Sequence, residues 1–498
     1  MCRHITSFIM WKTVKPGRWL LGLNLLLLSA LLPLASASDG FHLPEIGDSS
    51  GSLLTPAQEQ RLGQAFMRSV RNHYPVVSDP LIADYIQSLG DRLASNSEAA
   101  GQQFHFFLID SPAVNAFAGP AGHIGIFSGL VLTTETESEL ASVVAHEIAH
   151  VTQKHLLRTF DDASRMNLPI AAISLAAILV GGGTDLGAAA AMGLQAGMLQ
   201  RKINFTRANE HEADRIGINT LANANFDPRA MPVFFGRMGR ATRFYGSTLP
   251  EFLRTHPVTT TRISDSRGRA EAYPYKQYPA DVRYYLLRAT LREQQYEKAE
   301  DAIRFFRETL ADGRYRNEAA QRYGYVLALM RAKDLSLARK ELDKLLEAYP
   351  NQIAYQLLNA RLYTQSGEPE IAALILETAL NEAPDNYPIT MAYAQTLIAI
   401  GKPVTARKIL EHTAPHRPRD AALYKLLAQA TAETGDTSQA HEYQADHYYI
   451  SGRLEQAKQQ LMIALQDSNV SLFREERMSA QLKQIQSELV ELKRRHKK

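Results

Sequence analysis

The stretch "VVAHEIAHVTQKH", Val143 to His155, sets two histidines four residues apart with a glutamate directly after the first. On a helix, residues i and i+4 share a face, so His146 and His150 can aim two imidazole nitrogens at one ion. Glu147 then stands where a carboxylate can take the proton of a water attacking a polarised carbonyl. The flanking "SVVA" and "IA" are apolar, which suits a buried helix. The same five residues also fit an ordinary amphipathic helix, and a catalytic zinc needs more protein ligands than two.

Candidates for a third ligand lie downstream in "NFTRANEHEADRIGI", Asn204 to Ile218, a second helical segment. Glu210 and Asp214 are again i and i+4, and Ala213 and Gly217 make the same side small enough to pack closely on another helix. Glu210 as ligand, with Asp214 holding a ligand imidazole by its free N–H, is an arrangement that zinc sites favour. Solvated helix charges are the plainer alternative for both. His256, in the proline-bounded "RTHPVTTTR", is a lone histidine that by itself reads as structural, and Arg262 is a candidate partner for an oxyanion or a carboxylate of the site, with a surface salt bridge as the alternative.

Around these motifs, the spacing of Leu62, Ala65, Phe66 and Val70 predicts a helix capped by Thr55 and Pro56, and "PLIADYIQSLGDRLASNS" a second. The texture then changes. "FHFFLIDSPAVNAFAGPAGHIGIFSGLVL" has short apolar runs broken by Asn115, Gly119, Pro120, Gly122 and Gly129, which read as strands and a hairpin. If Gly122 to Leu130 is an edge strand beside the ion, an extended substrate can pair with it through its main chain. Residues 168–200 are apolar, but Leu168 to Val180 covers only 13 residues before "GGG". That length suits helices packed on the protein, or touching a membrane face, better than a span.

From about residue 280 a period emerges. Pro350, Pro384 and Pro418, then Gly367, Gly401 and Gly435, then Ala338, Ala372, Ala406 and Ala440 all recur at intervals of 34. This is the tetratricopeptide pattern: alanine lets two helices approach, glycine turns the chain between them, and proline ends the second. "YEKAE" places a similar alanine, Ala299, 39 residues before Ala338, and "SGRLEQA" repeats the step at Gly452 and Ala457. The charged tail from residue 471 reads as a helix capping the array.

The first 37 residues carry Arg3, Lys12, Lys15 and Arg18, then "WLLGLNLLLLSALLPL", then "ASA". They read as a signal peptide cleaved near Ala37, with an uncleaved anchor as the alternative, and point to the periplasm. Removing them changes the formal charge from +3 to +3 − 4 = −1, which gives no reason to expect a nucleic-acid partner. The one cysteine, Cys2, would leave with this segment, and a chain without thiols is compatible with an oxidising compartment. The expected organisation is therefore residues 1–37 signal peptide, 38–275 an α+β zincin-type metallopeptidase domain, 276–470 an all-α tetratricopeptide-repeat solenoid and 471–498 a capping helix.

"NAFAGPAGHIGIFSGLV", "HEIAH", "NEHEAD" and "THP" with Arg262 six residues beyond its histidine, in that order, resemble the zinc metallopeptidase family that includes the HtpX-type proteases and the CAAX prenyl proteases. The order of signal peptide, peptidase and repeats is similar to its exported branch, which acts in outer-membrane β-barrel assembly. The resemblance implies one zinc ion per chain held by His146, His150 and Glu210, with Glu147 as general base. It further implies a proton-donor role for Asp214 and a place near the zinc for His256, either stabilising the tetrahedral intermediate or closing the fourth position. The implied partners are unfolded or misassembled outer-membrane β-barrel proteins and their assembly machinery, docked by the repeats. A chaperone with a latent, gated peptidase is the competing reading, and a hydrolase of a non-protein amide such as peptidoglycan a third.

Overall fold

The computed structural model describes residues 54–98, 101–158, 175–176, 179, 207–245, 250–468 and 470–495. The signal peptide expected at 1–37 lies outside them, as does most of the apolar segment 168–200. Of that segment Leu175, Ala176 and Leu179 are described, and they are buried with Leu62, Phe66, Val70 and Phe117. No helix among the described residues is long and apolar enough to cross a membrane.

Two capped helices open the fold. In α1 (Pro56–His73) the Thr55 side chain accepts from the Gln58 amide while Gln58 accepts from the Thr55 amide, a reciprocal cap with proline in the first turn. In α2 (Pro80–Ala94) Asp79 accepts from the amides of Leu81 and Ile82. Three short strands follow, β1 (His105–Ile109), β2 (Ala116–Ala118) and β3 (His123–Phe127). Their order is β1-β3-β2, with β3 parallel to β1 and antiparallel to β2.

This order corrects the expectation for Gly122 to Leu130. The strand there, β3, is paired on both sides, and among the described residues the edge beside the hairpin is β2. The apolar run "SGLVLT" also does not continue the strand but forms the helix α3 (Ser128–Thr133). A short apolar run does not distinguish strand from buried helix. Here Ser128 decides: its hydroxyl accepts from the Ser111 amide and donates to the Ser111 carbonyl, turning the chain at the strand end.

Helix α4 (Glu137–Thr152) carries the HEIAH stretch and is buried almost all round, from Leu140 through His150. It begins where Thr136 caps the Glu139 amide. It ends in a short turn at α5 (His155–Arg158). It packs on the sheet, on α2, on α6 (Arg207–Asn223) and on α7 (Ala230–Tyr245). Gly217 makes the close approach possible, since a Cβ there would lie 3.3 Å from the His146 amide nitrogen and 3.0 Å from the Met231 methyl. Two further helices, α8 (Glu251–Thr255) and α9 (Thr260–Glu271), complete this part.

The remainder is a run of helix pairs: α10 (Val282–Gln294) with α11 (Ala299–Ala311), α12 (Glu318–Arg331) with α13 (Leu335–Ala348), and α14 (Ile353–Gln365) with α15 (Pro369–Glu382). Next come α16 (Tyr387–Ala399) with α17 (Pro403–Thr413), α18 (Ala421–Glu433) with α19 (Thr437–Ile450), and α20 (Leu454–Ala464) followed by the long α21 (Leu472–Arg495). Ala338, Ala372, Ala406 and Ala457 are fully buried at the fourth position after each helix N-cap, and Ala440 nearly so. In the first pair that position is Ala302, which is fully buried, and not Ala299. The interval to Ala338 is thus 338 − 302 = 36 residues rather than 39. The alanine of "YEKAE" is the first residue of the helix, three residues before the buried position.

The array wraps the N-terminal part. Arg288 donates to the Val131 carbonyl of α3, and Arg283 to Ser88 of α2. Further along, Arg417 pairs with Asp84 of α2 at 3.2 Å, and Arg419 donates to His105 Nε2 of β1 at 2.9 Å. The far end returns to α1, where Arg68 pairs with Glu488 at 2.7 Å and Arg71 donates to the Ile450 carbonyl. Gly452 sits so close to the Arg68 carbonyl that a Cβ would come within 2.2 Å of its oxygen. The array therefore meets the chain's own α1 and α2 at several points, α2 through Arg283 and Arg417 and α1 through Ile450, Gly452 and Glu488.

Candidate metal centre

His146 and His150 come from consecutive turns of α4, Glu210 from α6, and His256 from the residue that ends α8. One donor atom of each lies within 4.8 Å of the others, all four residues being buried. Nε2 of His146 is 3.0 Å from Nε2 of His150 and 3.3 Å from Nδ1 of His256. Glu210 Oε1 is 3.0 Å from His256 Nδ1 and 3.5 Å from His150 Nε2, and its Oε2 is 3.5 Å from His146 Nε2.

Ligands about 2.05 Å from a tetrahedral ion lie roughly 3.3 Å from one another. The distances between these donors bracket that value. Three imidazole nitrogens and one carboxylate oxygen are also the donor chemistry that a borderline-soft divalent ion takes. The residues thus fit a metal ion.

The outer contacts fix how each donor points. His146 Nδ1 is 3.0 Å from Asp214 Oδ1. Asp214 in turn receives two 2.7 Å hydrogen bonds from Arg262, from Nε and from one terminal nitrogen. The other terminal nitrogen of Arg262 is 2.7 Å from Glu210 Oε2 and donates to the Pro257 carbonyl, and the guanidinium lies over the Phe235 ring. The alternatives left open for Arg262 are resolved by this: it is 2 % exposed and serves two carboxylates of the site.

The electrostatics follow from this packing. Burial alone would depress the His146 imidazole, yet the Asp214 and Glu210 carboxylates outweigh it and hold its pKa up at about 9. Burial and the neighbouring His146 push His150 well below the usual histidine range, leaving it neutral. For Glu210, burial is overcome by His256 and His146, and for Asp214 by Arg262 and His146, so both stay ionised. Glu147 differs. Burial raises its pKa against the pull of His256 and His146. Neither of its oxygens makes a hydrogen bond of good geometry. Its neighbours are His256 Nε2, at 3.5 Å, and the backbone amide of Ala118 on the edge strand β2.

Two residues at the site went without a role in the sequence. His155, the last residue of the quoted stretch, is fully buried with its Nδ1 2.8 Å from His150 Nδ1. Its Nε2 meets Glu212 Oε2 at 3.2 Å. The signal available was a third histidine nine residues after the first, but a spacing of five from His150 does not announce a shared helical face. The helix in fact ends between them.

Comparisons with known proteins place the chain in a family. Residues 80–270 match the model of Peptidase family M48, and residues 363–430 match a tetratricopeptide repeat. The chain is 34 % identical over 453 residues to the β-barrel assembly-enhancing protease of Escherichia coli strain K12, covering 91 % of this chain and 92 % of that protein. This chain belongs to the β-barrel assembly-enhancing protease family. A putative β-barrel assembly-enhancing protease of Vibrio cholerae is 35 % identical over 410 residues, 82 % of this chain and 84 % of that one. A mitochondrial metalloendopeptidase of Arabidopsis thaliana is 30 % identical over 164 residues, covering 33 % of this chain and 31 % of its own length. A solved tetratricopeptide repeat protein from Parabacteroides merdae aligns with 56 % of this chain and 93 % of its own at a TM-score of 0.29 and 15 % identity. As a member of this β-barrel assembly-enhancing protease family, the chain is a metallopeptidase with a small-sheet peptidase fold followed by helical repeats.

Proposed function

We propose that the protein is a periplasmic zinc endopeptidase that degrades misassembled outer-membrane proteins and assists their assembly. The observation that carries the chemistry is the buried four-donor cluster of His146, His150, Glu210 and His256 with Glu147 beside it. Bound there, zinc would supply Lewis-acid polarisation of the scissile carbonyl. Glu147, its pKa raised by burial, takes a proton from the attacking water on a carboxylate oxygen and passes it to the leaving amide nitrogen. Arg262 donates to both oxygens of Asp214, which favours an orienting role over proton donation. The substrate's main chain pairs with β2. Since Gly119 and Asn115 bond toward β3, alternation turns the backbone of Ala116 and Ala118 to the opposite side, toward Glu147.

A gated resting state has its own support. His146, Glu147, His150, Glu210 and His256 are each no more than 2 % exposed, so a peptide reaches them only after something moves. His256 Nδ1 points into the cluster where the fourth coordination position would be. This favours the closing role for His256 over the catalytic one, and fits a protein that assists assembly while shut and cleaves when opened. Because α1 and α2 contact the array at several points, clients or assembly machinery dock on the surface these helices leave free.

The test is zinc content beside cleavage of an unfolded β-barrel precursor, for wild type, Glu147→Gln and His256→Ala. Expected are one zinc per chain in wild type and Glu147→Gln, cleavage reduced by about 10²–10⁴-fold in Glu147→Gln, and cleavage raised in His256→Ala. Absence of zinc from the wild type overturns the metal reading. Reduced cleavage in His256→Ala overturns the gate.

A further inference from the structure

His150 is held by an unusual partner. A metal-ligating histidine generally donates its second N–H to a carboxylate, a backbone carbonyl or water, and the Nδ1 of His146 has the Asp214 carboxylate 3.0 Å away. His150 instead has His155, ring to ring, with two Nδ1 atoms 2.8 Å apart. At that distance the two nitrogens share a single hydrogen: one must donate and the other accept. The other end of His155 decides which. Its Nε2 faces the Glu212 carboxylate at 3.2 Å, and a carboxylate only accepts, so Nε2 carries the hydrogen. A neutral His155 then has a bare Nδ1, which accepts from His150 Nδ1–H. That leaves the lone pair of His150 on Nε2, the atom that points at His146, Glu210 and the ion position.

The backbone supports this. Between α4 and α5 the chain turns at Lys154, which adopts φ 53°, a left-handed conformation usually left to glycine. The turn brings His155, fully buried, back beneath His150. Strain at a non-glycine residue persists where the surrounding structure over-determines it. Glu212, whose side chain is 36 % exposed, lies on α6 between Glu210 and Asp214, so one helix supplies a ligand and the outer anchor for each of the two histidines.

We propose that His155, oriented by Glu212, is a positioning residue that sets the tautomer of His150 and so its ability to bind the metal. This rests on the reading of the site as a metal centre.

The experiment measures zinc dissociation constants of the purified full-length protein by competition with a chromogenic chelator. The variants are His155→Phe, which keeps bulk without an acceptor, His155→Asn, whose amide oxygen can stand near the Nδ1 position, and His150→Ala as the control for the site. Circular dichroism of the metal-free proteins checks that each folds. The expected result is affinity weakened roughly 10- to 100-fold in His155→Phe, with most of it recovered in His155→Asn and stoichiometric binding lost in His150→Ala. Wild-type affinity in a folded His155→Phe overturns the proposal while leaving the metal centre intact. Equal weakening in Phe and Asn variants also overturns it, because packing and not the acceptor would then matter. Failure of the wild type to bind zinc overturns the metal centre itself.

Discussion

At the metal centre the fully buried positions belong to histidines, glutamates, an aspartate and an arginine, whereas along the repeats the corresponding positions belong to Ala302, Ala338, Ala372, Ala406 and Ala457. The two kinds of burial obey different rules. A buried charge is tolerable only inside a complete network, so removing one member strands the others. A buried alanine is there for its smallness, and each helix pair meets mainly its neighbours, so damage stays local. The site should therefore fail as a unit and the array by increments.

The largest expected effect breaks the network at Arg262. Arg262→Met keeps much of the side-chain volume over Phe235 but removes the partner of Asp214 and of Glu210 Oε2. Leaving those carboxylates buried without it should cost about 3–5 kcal/mol, read as a drop in the chemical-unfolding midpoint of the metal-free protein. A loss below about 1 kcal/mol, the worth of an exposed ion pair, would mean that the network is not the cooperative unit described. Zinc should restore part of the stability by binding the folded state only.

The same contrast governs what could be read from the sequence. Both parts of the fold were legible, the repeats in most detail, because a 34-residue period repeats the same physical requirement at Gly367, Gly401 and Gly435, where the structure shows φ of 84°, 72° and 90°. The first repeat drifted, since Ala299 and Ala302 both satisfy a search for a small residue and only the helix start separates them. The site's inner residues were legible because i, i+4 geometry brings His146 to His150 and Glu210 to Asp214 within single helices. Which strand forms the sheet edge was not. Strand order depends on which apolar runs pair across the turn, and a run such as "GHIGIF" is equally apolar in the middle of a sheet or at its rim. His155 escaped for a related reason: its contact with His150 is made by a turn, and turns at non-glycine residues leave no periodic trace.

A middle-sized effect tests whether the array really is incremental. Ala406→Leu inserts three carbons where α17 meets its neighbours and should cost about 1–3 kcal/mol by overpacking. Because Ala406 lies far along the chain from α4 and makes no contact with the donors, zinc affinity should stay within about twofold of wild type, well short of the tenfold step that 1.4 kcal/mol represents. Thermal unfolding together with chelator competition reads both numbers at once. Loss of zinc binding in a folded Ala406→Leu protein would show that the array and the centre are one cooperative unit after all.

The smallest effect sharpens the comparison at a single backbone position. One period before Gly367, at 367 − 34 = 333, the inner turn carries lysine, and Lys333 adopts φ 62° where the later repeats use glycine. A side chain in the left-handed region is disfavoured by roughly 1–2 kcal/mol per residue through contact of Cβ with the following carbonyl oxygen. Glycine removes that contact but loses more chain freedom on folding, about 0.5–1 kcal/mol. Lys333→Gly should therefore stabilise the protein by a net ~0.5–1 kcal/mol, seen as a small rise in the thermal midpoint. Destabilisation would mean that the Lys333 side chain earns its strained backbone. It lines a cavity of about 580 Å³ between α2 and the inner wall with Asp79, Glu293, Arg331 and Arg361, and there its charge, not its conformation, would be what the fold retains.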